Sequence, residues 1–230
     1  MQLNRLLVIS ARAGSKRIKN KNFKIFRGKP IIEYSIEIAL KSKLFDKIVI
    51  STDNLRKRKF LNQFDIQISP RPKVISGDNS TIEDVLKFEY QRFKKQKITF
   101  NEIWNLAPCS PLISSKELVM ASKLLSKYKD KIVLPITEYP TSIKWAFKKD
   151  NKDLLKPLFK NTYKLRSQDL SRCFYDTGNF VGIPISFLKR KKIDFDQNYI
   201  GLIIPKMQAV DIDDIQDWKI AEALYEKKKV

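Results

Sequence analysis

Close to the N-terminus the chain reads Leu6-Leu-Val-Ile-Ser-Ala-Arg-Ala-Gly-Ser-Lys-Arg17, and this segment is the clearest indication of its fold. Its first four residues are apolar, which is typical of a strand buried on both faces of a sheet. The residues that follow are small, polar and basic, and such a loop can bring backbone N–H groups and fixed positive charge to a phosphate. The loop has neither the Walker spacing nor a GxGxxG fingerprint, so on its own it is equally compatible with a basic surface loop.

Beyond this stretch, strand-like and helix-like segments alternate along the chain. Short apolar runs predict strands at 6–9, 47–50, 66–68, 102–106, 131–134, 179–183 and 200–204. Helices are predicted from Pro30, over 55–62, from the capping-box pattern Ser80-Thr-Ile-Glu83, over 114–128 and over 214–227. The apolar spacing assigns Ile82 and Ile215 to the inner faces of their helices. We therefore predict a Rossmann-like α/β fold, with a mainly parallel sheet and helices on both of its faces.

Residues 139–176 interrupt this alternation, because they are basic and irregular and include Trp145, Phe147 and Phe159. No Gly/Ser linker or internal repeat separates them from the rest, so we expect a single domain over 1–230 with an inserted excursion. Apolar groups exposed in such number usually mark an interface. The excursion is therefore predicted to form a dimer contact.

The composition narrows the chemistry that an active site could use. The 230 residues include no histidine, which excludes Ser-His-Asp and Cys-His catalysis and most catalytic zinc sites. An enzyme must therefore work with Lys, Arg, Asp, Glu and a metal ion. The formal net charge of +21 suits a polyanionic partner such as nucleic acid, a nucleotide or an acidic sugar, but a lysine-biased surface would give the same value. Cys109 and Cys173 are too few for a zinc site and are expected to be buried thiols.

Two features bear on localisation. No apolar run approaches the roughly 20 residues that a membrane-spanning helix needs. The first residues run directly into the first predicted strand, without the small-residue cleavage site of a signal peptide. We therefore expect a cytoplasmic protein without a membrane partner.

Three further strand ends carry candidate functional residues, since ligands of open α/β sheets bind beyond the carboxyl ends of strands. In Ser51-Thr-Asp53 the Asp is most often a helix N-cap. In Leu106-Ala-Pro-Cys-Ser-Pro-Leu112 two prolines fix a rigid turn that could wall a pocket. In Asp211-Ile-Asp213 the two carboxylates share one face of an extended segment and repel each other unless a cation lies between them. Mg²⁺ accepts such a pair together with substrate phosphates, while the adjacent Asp214 is expected to begin the last helix.

These features together favour transfer of a nucleotidyl group, which needs positioning and charge neutralisation but little covalent chemistry. The motifs also resemble those of the CMP-sugar synthetases, the cytidylyltransferases that activate eight- and nine-carbon 2-keto sugar acids. The family signature Ile-Pro-Ala-Arg-Gly-Gly-Ser-Lys corresponds to Ile9-Ser-Ala-Arg-Ala-Gly-Ser-Lys16, followed by Lys21-Asn22. Gly28-Lys-Pro30, Arg71-Pro72 and Asp211-Ile-Asp213 with Asp217-Trp218 follow in family order, so the resemblance covers nearly the whole chain.

Two loop positions depart from the family signature. Ala13 replaces the first loop glycine, and its methyl group costs on the order of 1 kcal/mol if that position needs a positive φ. If the position needs only a close approach of the backbone to a ligand, alanine is compatible with it. Ser10 replaces a proline and is expected to loosen the entry to the loop.

Two further motifs resemble one subgroup of this family. Arg166-Ser-Gln-Asp-Leu170 and Tyr175-Asp-Thr-Gly-Asn-Phe180 are similar to the pseudaminic acid cytidylyltransferases. Sialic acid enzymes usually have Gln-Pro-Thr-Ser-Pro-Leu-Arg where this chain has Ala107-Pro-Cys-Ser-Pro-Leu-Ile113. The resemblance therefore implies activation of pseudaminic acid with CTP, with N-acylneuraminate, legionaminate or a KDO-type sugar as the alternative.

The resemblance also implies a site, a metal ion and an assembly. It implies a fold of the nucleotide-diphospho-sugar transferase type and a Mg²⁺-dependent homodimer that binds CTP and an acidic nine-carbon sugar, with the excursion reaching the neighbour's site. The implied nucleotide-binding residues are Arg12, Ala13, Gly14, Ser15, Lys16, Asn22 and Arg71. Lys16, Arg12 and Asp211 are the implied catalytic residues, Asp211 and Asp213 the metal ligands, and Arg166, Gln168 and Asp169 the sugar-binding residues.

Two other functions would suit part of the sequence. A basic nucleic-acid-binding protein would suit the charge, but the α/β alternation and the Asp pair argue against it, so no nucleic acid partner is expected. A glycosyltransferase would also use an Asp-x-Asp metal motif. In that class the acidic pair usually ends a central strand, whereas here it lies near the C-terminus.

Overall fold

The computed structural model of the chain describes residues 2–189 and 198–228. Its strands are β1 (Gln2–Ser10), β2 (Ile25–Phe26), β3 (Lys29–Pro30), β4 (Lys47–Thr52), β5 (Gln67–Pro70), β6 (Thr99–Leu106), β7 (Ile132–Glu138), β8 (Phe147–Lys149), β9 (Leu155–Pro157), β10 (Phe174–Asp176), β11 (Phe180–Pro184) and β12 (Tyr199–Ile203). Its helices are α1 (Ile31–Ser42), α2 (Arg58–Leu61), α3 (Ile82–Lys95), α4 (Ser115–Lys127), α5 (Ile185–Leu188) and α6 (Ile215–Lys228).

Eight of these strands form one central sheet. Its order is β10-β7-β11-β6-β1-β4-β5, and β12 pairs with β7 as a branch. The pairs β1–β4, β1–β6, β4–β5 and β7–β12 are parallel. The pairs of β11 with β6 and β7, and of β10 with β7, are antiparallel. The predicted α/β architecture with a mainly parallel sheet is confirmed.

The first strand explains why the opening stretch is continuously apolar. Leu7 and Ile9 face the core that α1 and α4 complete, while Leu6 and Val8 face the core that α3 and α5 complete. All four side chains have 0% exposure. Burial on both faces removes the usual alternation of apolar and polar residues, and it holds the 10–17 loop at the edge where the parallel strands end.

The first turn of α3 differs from the prediction by one residue. Thr81, rather than Ser80, is the N-cap, and its hydroxyl accepts the N–H of Asp84, whose carboxylate accepts the Thr81 N–H in return. Two overlapping S/T-x-x-D/E patterns compete here, and the second is the one used. The assignment of Ile82 to the inner face was wrong, since that side chain is 45% exposed.

The cap of the last helix is the predicted one, but one residue of its predicted apolar face is exposed. The Asp214 carboxylate accepts the N–H groups of Gln216 and Asp217, and Asp217 accepts the N–H of Asp214 in return. Trp218 is buried, as predicted. Ile215 follows the cap directly and is exposed, so its predicted inward orientation was wrong.

This cap gives a test of local stability. Replacing Asp214 with alanine should lower the melting temperature by about 2–4 °C, because two helix N–H groups lose their acceptor, and should leave turnover near normal. The backbone N–H groups of Asp217 and Gln216 hold the pKa of Asp214 below its ordinary value, so this stabilisation should be present above the ordinary pKa and lost as the pH falls. Thermal unfolding at two pH values measures both effects. An unchanged melting temperature at neutral pH would contradict the capping role.

The two remaining departures concern less regular segments. The helix predicted over 55–62 is a 3-10 turn at Leu55–Lys57 followed by the short α2, in which only Leu61 is buried. The excursion carries the exposed β8–β9 hairpin and returns to the main sheet through β10. Across the described residues, no helix has both the length and the apolar character needed to cross a bilayer.

Candidate active site

A cavity of about 390 Å³ opens at the carboxyl ends of the parallel strands. The 10–17 loop contributes five of its lining residues, and Asp213, from the segment before α6, also lines it. Its lining consists of Ser10, Arg12, Ser15, Lys16, Arg17, Ile18, Lys21, Asn22, Pro108 and Asp213. Four of the seven predicted nucleotide-binding residues and one predicted metal ligand therefore share this cavity.

Hydrogen bonds from neighbouring strands fix the 10–17 loop. The N–H of Ala11 donates to the carbonyl of Ser51 at 2.9 Å, and the N–H of Ala13 donates to Asp53 Oδ1 at 2.7 Å. Asp53 therefore anchors this loop instead of capping a helix, and Asn54 precedes the next 3-10 turn without a side-chain cap. Ser10, which replaces the family's proline, donates to Asn105 Oδ1 at 2.9 Å, so the loop entry is anchored rather than loose.

The loop backbone accommodates the Ala13 substitution. Ala13 is not among the residues with positive φ, so its methyl group carries none of the strain considered above. Gly14 also lies outside the positive-φ region, and a Cβ atom built there would meet no heavy atom within 4 Å. The space beside Gly14 is therefore open, although Gly14 does not line the cavity.

Two loop cations share one acidic partner that the sequence did not suggest. Lys16 Nζ lies 2.6 Å from Asp78 Oδ2, and Arg12 Nη1 lies 3.2 Å from Asp78 Oδ1. The hydrogen bond and charge of Lys16, followed by Arg12, hold the pKa of Asp78 below its ordinary value. All three groups are substantially exposed. A more highly charged phosphate can therefore replace this single carboxylate at little cost.

The Asp pair carries its own cationic partners. Asp213 contacts Arg17 Nη2 at 2.9 Å and Lys21 Nζ at 3.3 Å, and Lys21 also donates to the carbonyl of Ile212 at 2.6 Å. Burial of its carboxyl, and then the charge of Asp213, raises the pKa of Asp211, although the residue as a whole is exposed. Asp211 Oδ2 would lie only 3.3 Å from a Cβ built on Gly178. The charge of Asp213 thus acts on the Asp211 carboxyl, but of the two residues only Asp213 lines the cavity.

Arg71 occupies a supporting position. It is buried, and its Nη2 donates to the carbonyl of Ser51 at 2.9 Å. Its own N–H donates to the carbonyl of Thr52, so it ties the ends of β4 and β5 together. Arg71 does not line the cavity, whereas Ser51 also holds the loop through Ala11.

The predicted sugar-binding residues lie apart from this cavity. Arg166, Gln168 and Asp169 are exposed on a 3-10 turn of the excursion, and Arg166 Nε pairs with Asp169 Oδ2 at 3.0 Å. Ser167 and Leu170 of the same turn line a second cavity of about 410 Å³ at the root of the excursion. Within one chain, therefore, the structure does not bring the two sets of residues together.

Several residues of the site were not assigned from the sequence. Arg17 and Lys21 contact Asp213, and their place in the same basic segment as Lys16 was the available signal. Asp78 had none, because Gly-Asp-Asn is an ordinary turn sequence. Cys109 is buried as expected and donates to Asn22 Oδ1 at 3.3 Å, whereas Cys173 is only half-buried.

Comparison with known proteins identifies relatives along the whole chain. A family model described as cytidylyltransferase matches residues 6–200. The pseudaminic acid cytidylyltransferase of Campylobacter jejuni subsp. jejuni serotype O:2 is 31% identical over 225 residues, 97% of each chain. The N-acylneuraminate cytidylyltransferase of Escherichia coli O18:K1:H7 is 24% identical over 231 residues, 99% of this chain and 54% of that relative.

A solved structure bears on the fold. CMP:2-keto-3-deoxy-manno-octonic acid synthetase, complexed with CTP, matches with a TM-score of 0.69 at 15% identity. The match covers 98% of this chain and 100% of the other. At this identity the likeness establishes the shared architecture, and it confirms the predicted nucleotide-diphospho-sugar transferase type of fold.

Proposed function

Since this chain belongs to the cytidylyltransferase family and is a nucleotidyltransferase, we propose that it activates a nonulosonic acid with CTP and that pseudaminic acid is its sugar substrate. In this reaction the anomeric oxygen of the sugar forms a bond to the α-phosphorus of CTP. The bond from that phosphorus to the oxygen bridging to the β-phosphate breaks, pyrophosphate leaves and the hydroxyl proton is released. The products are the CMP-sugar and pyrophosphate.

One observation carries the proposal, namely the cavity lined by Arg12, Ser15, Lys16 and Asn22. Positive charge and an open backbone loop at a strand end suit a triphosphate. In the proposed mechanism the triphosphate displaces Asp78 from Lys16 and Arg12, and these two cations then orient it for attack. Stabilisation of charge in this way provides most of the catalysis in phosphoryl and nucleotidyl transfer.

Asp211 and Asp213 are proposed to hold Mg²⁺. No third acidic, histidine or cysteine side chain joins them within the described residues, but Mg²⁺ needs only one or two carboxylates when phosphates complete its shell. Burial first, and then the charge of Asp213, raises the pKa of Asp211, and the second of these causes is the one that a bound cation would relieve. Mg²⁺ would supply charge neutralisation for the triphosphate and for departing pyrophosphate.

The choice of sugar rests on similarity. Identity is 31% to the pseudaminic acid enzyme and 24% to the N-acylneuraminate enzyme, each along nearly the whole of this chain. The Tyr175–Phe180 motif and the absence of Gln and Arg from the 107–113 turn favour the same choice. Another acidic 2-keto sugar remains the alternative substrate.

A homodimer is proposed as the active assembly. The excursion exposes apolar side chains to more than half of their area, among them Leu154, Leu155, Leu158 and Tyr163. A second copy of the chain would cover them. Arg166, Gln168 and Asp169 would then act in the neighbour's site, which accounts for their distance from the cavity of their own chain.

Sedimentation velocity tests the assembly. At micromolar concentration we expect a species of twice the 27.0 kDa chain mass. The double variant L155E/L158E should shift it to the monomer, because buried carboxylates oppose association. Val74→Glu, at a residue 85% exposed and outside the excursion, is the matched control and should remain dimeric. A wild-type protein that sediments only at 27.0 kDa would contradict the dimer.

A thermal-shift panel of nucleotides tests the proposed ligand. CTP with Mg²⁺ should raise the melting temperature more than ATP, GTP or UTP with Mg²⁺, because ligand bound only to the folded state stabilises it. Equal stabilisation by heparin or single-stranded DNA would instead favour the nucleic-acid-binding alternative. No shift with CTP at millimolar concentration would contradict the proposal.

A further inference from the structure

The rigid Pro-containing turn at 107–113 lies between the two halves of the candidate site. Cys109 Sγ donates to Asn22 Oδ1 at 3.3 Å, and Asn22 Nδ2 donates to the carbonyl of Arg12 at 2.8 Å. Cys109 and Asn22 are both buried. The turn therefore reaches the backbone of the 10–17 loop through a single amide side chain.

The next residue of the turn reaches the 177–179 segment, which lies beside Asp211. Ser110 Oγ accepts from Asn179 Nδ2 at 3.2 Å, and Asn179 Oδ1 accepts from the Thr177 hydroxyl at 2.7 Å. Exposure of these three side chains is between 1% and 3%. Gly178, between the last two, is the residue against which the Asp211 carboxylate lies.

Backbone contacts secure the turn itself. The N–H of Ala107 donates to the carbonyl of Asn179 at 2.8 Å, and the Ser35 hydroxyl of α1 donates to the carbonyl of Ala107 at 2.9 Å. A buried polar network with every member paired is rigid, whereas loss of one member leaves its partner unsatisfied. The network thus forms a continuous path from Arg12 to the segment beside Asp211.

We propose that Cys109 and Ser110 are positioning residues, which set the separation between the phosphate-binding loop and the Asp211 carboxylate. This inference rests on the proposed function, because it assigns the two ends of the network to the nucleotide and to the metal. Cys109 orients Asn22 and through it the Arg12 backbone. Ser110 orients Asn179 and through it the 177–179 segment that packs on Asp211. Neither side chain touches the reacting atoms.

To orient Asn22, residue 109 must have a hydrogen-bond donor on a side chain of about the size of cysteine. The thiol stays protonated, because burial raises the pKa of Cys109 to about 12, so it remains a donor at neutral pH. Cys109→Val keeps the approximate shape and removes the donor, while Cys109→Ser restores a donor. Ser110→Ala removes the second link. Ser42→Ala is the control, because it removes a buried hydroxyl that bonds only within the end of α1 and the turn after it.

Titration calorimetry with CTP, pyrophosphate-release kinetics and thermal unfolding on all five proteins separate positioning from general stability. We expect Cys109→Val to weaken CTP binding about fivefold, with Cys109→Ser within about twofold of the wild type, in line with the loss of one buried hydrogen bond. Ser110→Ala should lower kcat about tenfold and change the Kd of CTP less than about twofold, because it loosens the Asp211 side. Ser42→Ala should lower the melting temperature without changing the Kd of CTP or kcat.

The outcomes distinguish this inference from the proposed function. Wild-type protein that binds CTP, together with Cys109→Val and Ser110→Ala variants that match Ser42→Ala in Kd and kcat, would overturn the positioning role alone. Loss of CTP binding in Cys109→Ser equal to that in Cys109→Val would also overturn it. Wild-type protein that neither binds CTP nor releases pyrophosphate would overturn the proposed function and the inference with it.

Discussion

Replacing Lys16 with alanine should lower kcat/KM for CTP by about 100-fold or more, the scale expected for loss of a group that stabilises transition-state charge. Lys16 is 80% exposed, and its ion-pair partner in the chain is the exposed carboxylate of Asp78. Its removal therefore takes away a proposed phosphate ligand without disturbing the core. The melting temperature should stay within about 2 °C of the wild-type value.

Steady-state kinetics with varied CTP, together with thermal unfolding, measure both effects. Lys19→Ala is the matched control, since Lys19 is an exposed lysine nearby that does not line the cavity. Lys16→Arg retains the charge and should keep more activity than Lys16→Ala. Wild-type kinetics in Lys16→Ala would remove this residue from the nucleotide site.

The second large effect is expected at the Asp pair. Asp213→Asn keeps the shape of the side chain and removes one negative charge, so turnover should fall about 100-fold and recover partly at high Mg²⁺. Stability should change little, because the carboxylate is 42% exposed, its pair with Arg17 lies at the surface, and the part-buried Lys21 keeps its bond to the carbonyl of Ile212.

Asp214→Asn is the control for this experiment, because it makes the same chemical change at the next residue. Asn also accepts helix N–H groups, so the variant should keep near-normal turnover and lose only a little stability. Turnover as a function of Mg²⁺ concentration, measured for both variants, decides between the two roles. Full activity of Asp213→Asn at low Mg²⁺ would remove Asp213 from the proposed metal site and leave only its ion pairs with Arg17 and Lys21 as a role for this carboxylate.

The part of the site that the sequence could predict is the part encoded locally. The apolar run at 6–9 and the small, basic residues after it specify a buried strand and an open loop, and the i, i+2 spacing of Asp211 and Asp213 specifies a shared face. These patterns involve only residues that are close together in the sequence, so they can be recognised before the fold is known. The mixed sheet brings Asp213 and the 10–17 loop to one cavity.

Contacts between distant segments were not predictable in the same way. Asp53 anchors Ala13, and Asp78 pairs with Lys16, only because the loops after β1, β4 and β5 meet at one edge of the sheet. The misassigned faces of Ile82 and Ile215 have a local cause. Each is the first residue of its helix, directly after the cap, and at this end of the element its side chain stays exposed although it falls in the apolar spacing.

The proposed sugar site could be predicted neither from local sequence patterns nor from contacts within one chain. The residues that the family resemblance assigns to the sugar, Arg166, Gln168 and Asp169, are exposed on the excursion and make local contacts such as the Arg166–Asp169 pair. Their proposed place in a neighbour's site depends on a second copy. Neither the periodicity of the sequence nor the packing of the single chain contains that contact.

Mass-spectrometric detection of the product formed from each nucleoside triphosphate with each of several acidic 2-keto sugars, in the presence of Mg²⁺, tests the proposed function directly. We expect a CMP-sugar from CTP and pseudaminic acid, with one pyrophosphate released per product, and little or no product from ATP, GTP or UTP. Absence of a CMP-sugar with every nonulosonic acid supplied, or transfer from a nucleotide other than CTP, would contradict it.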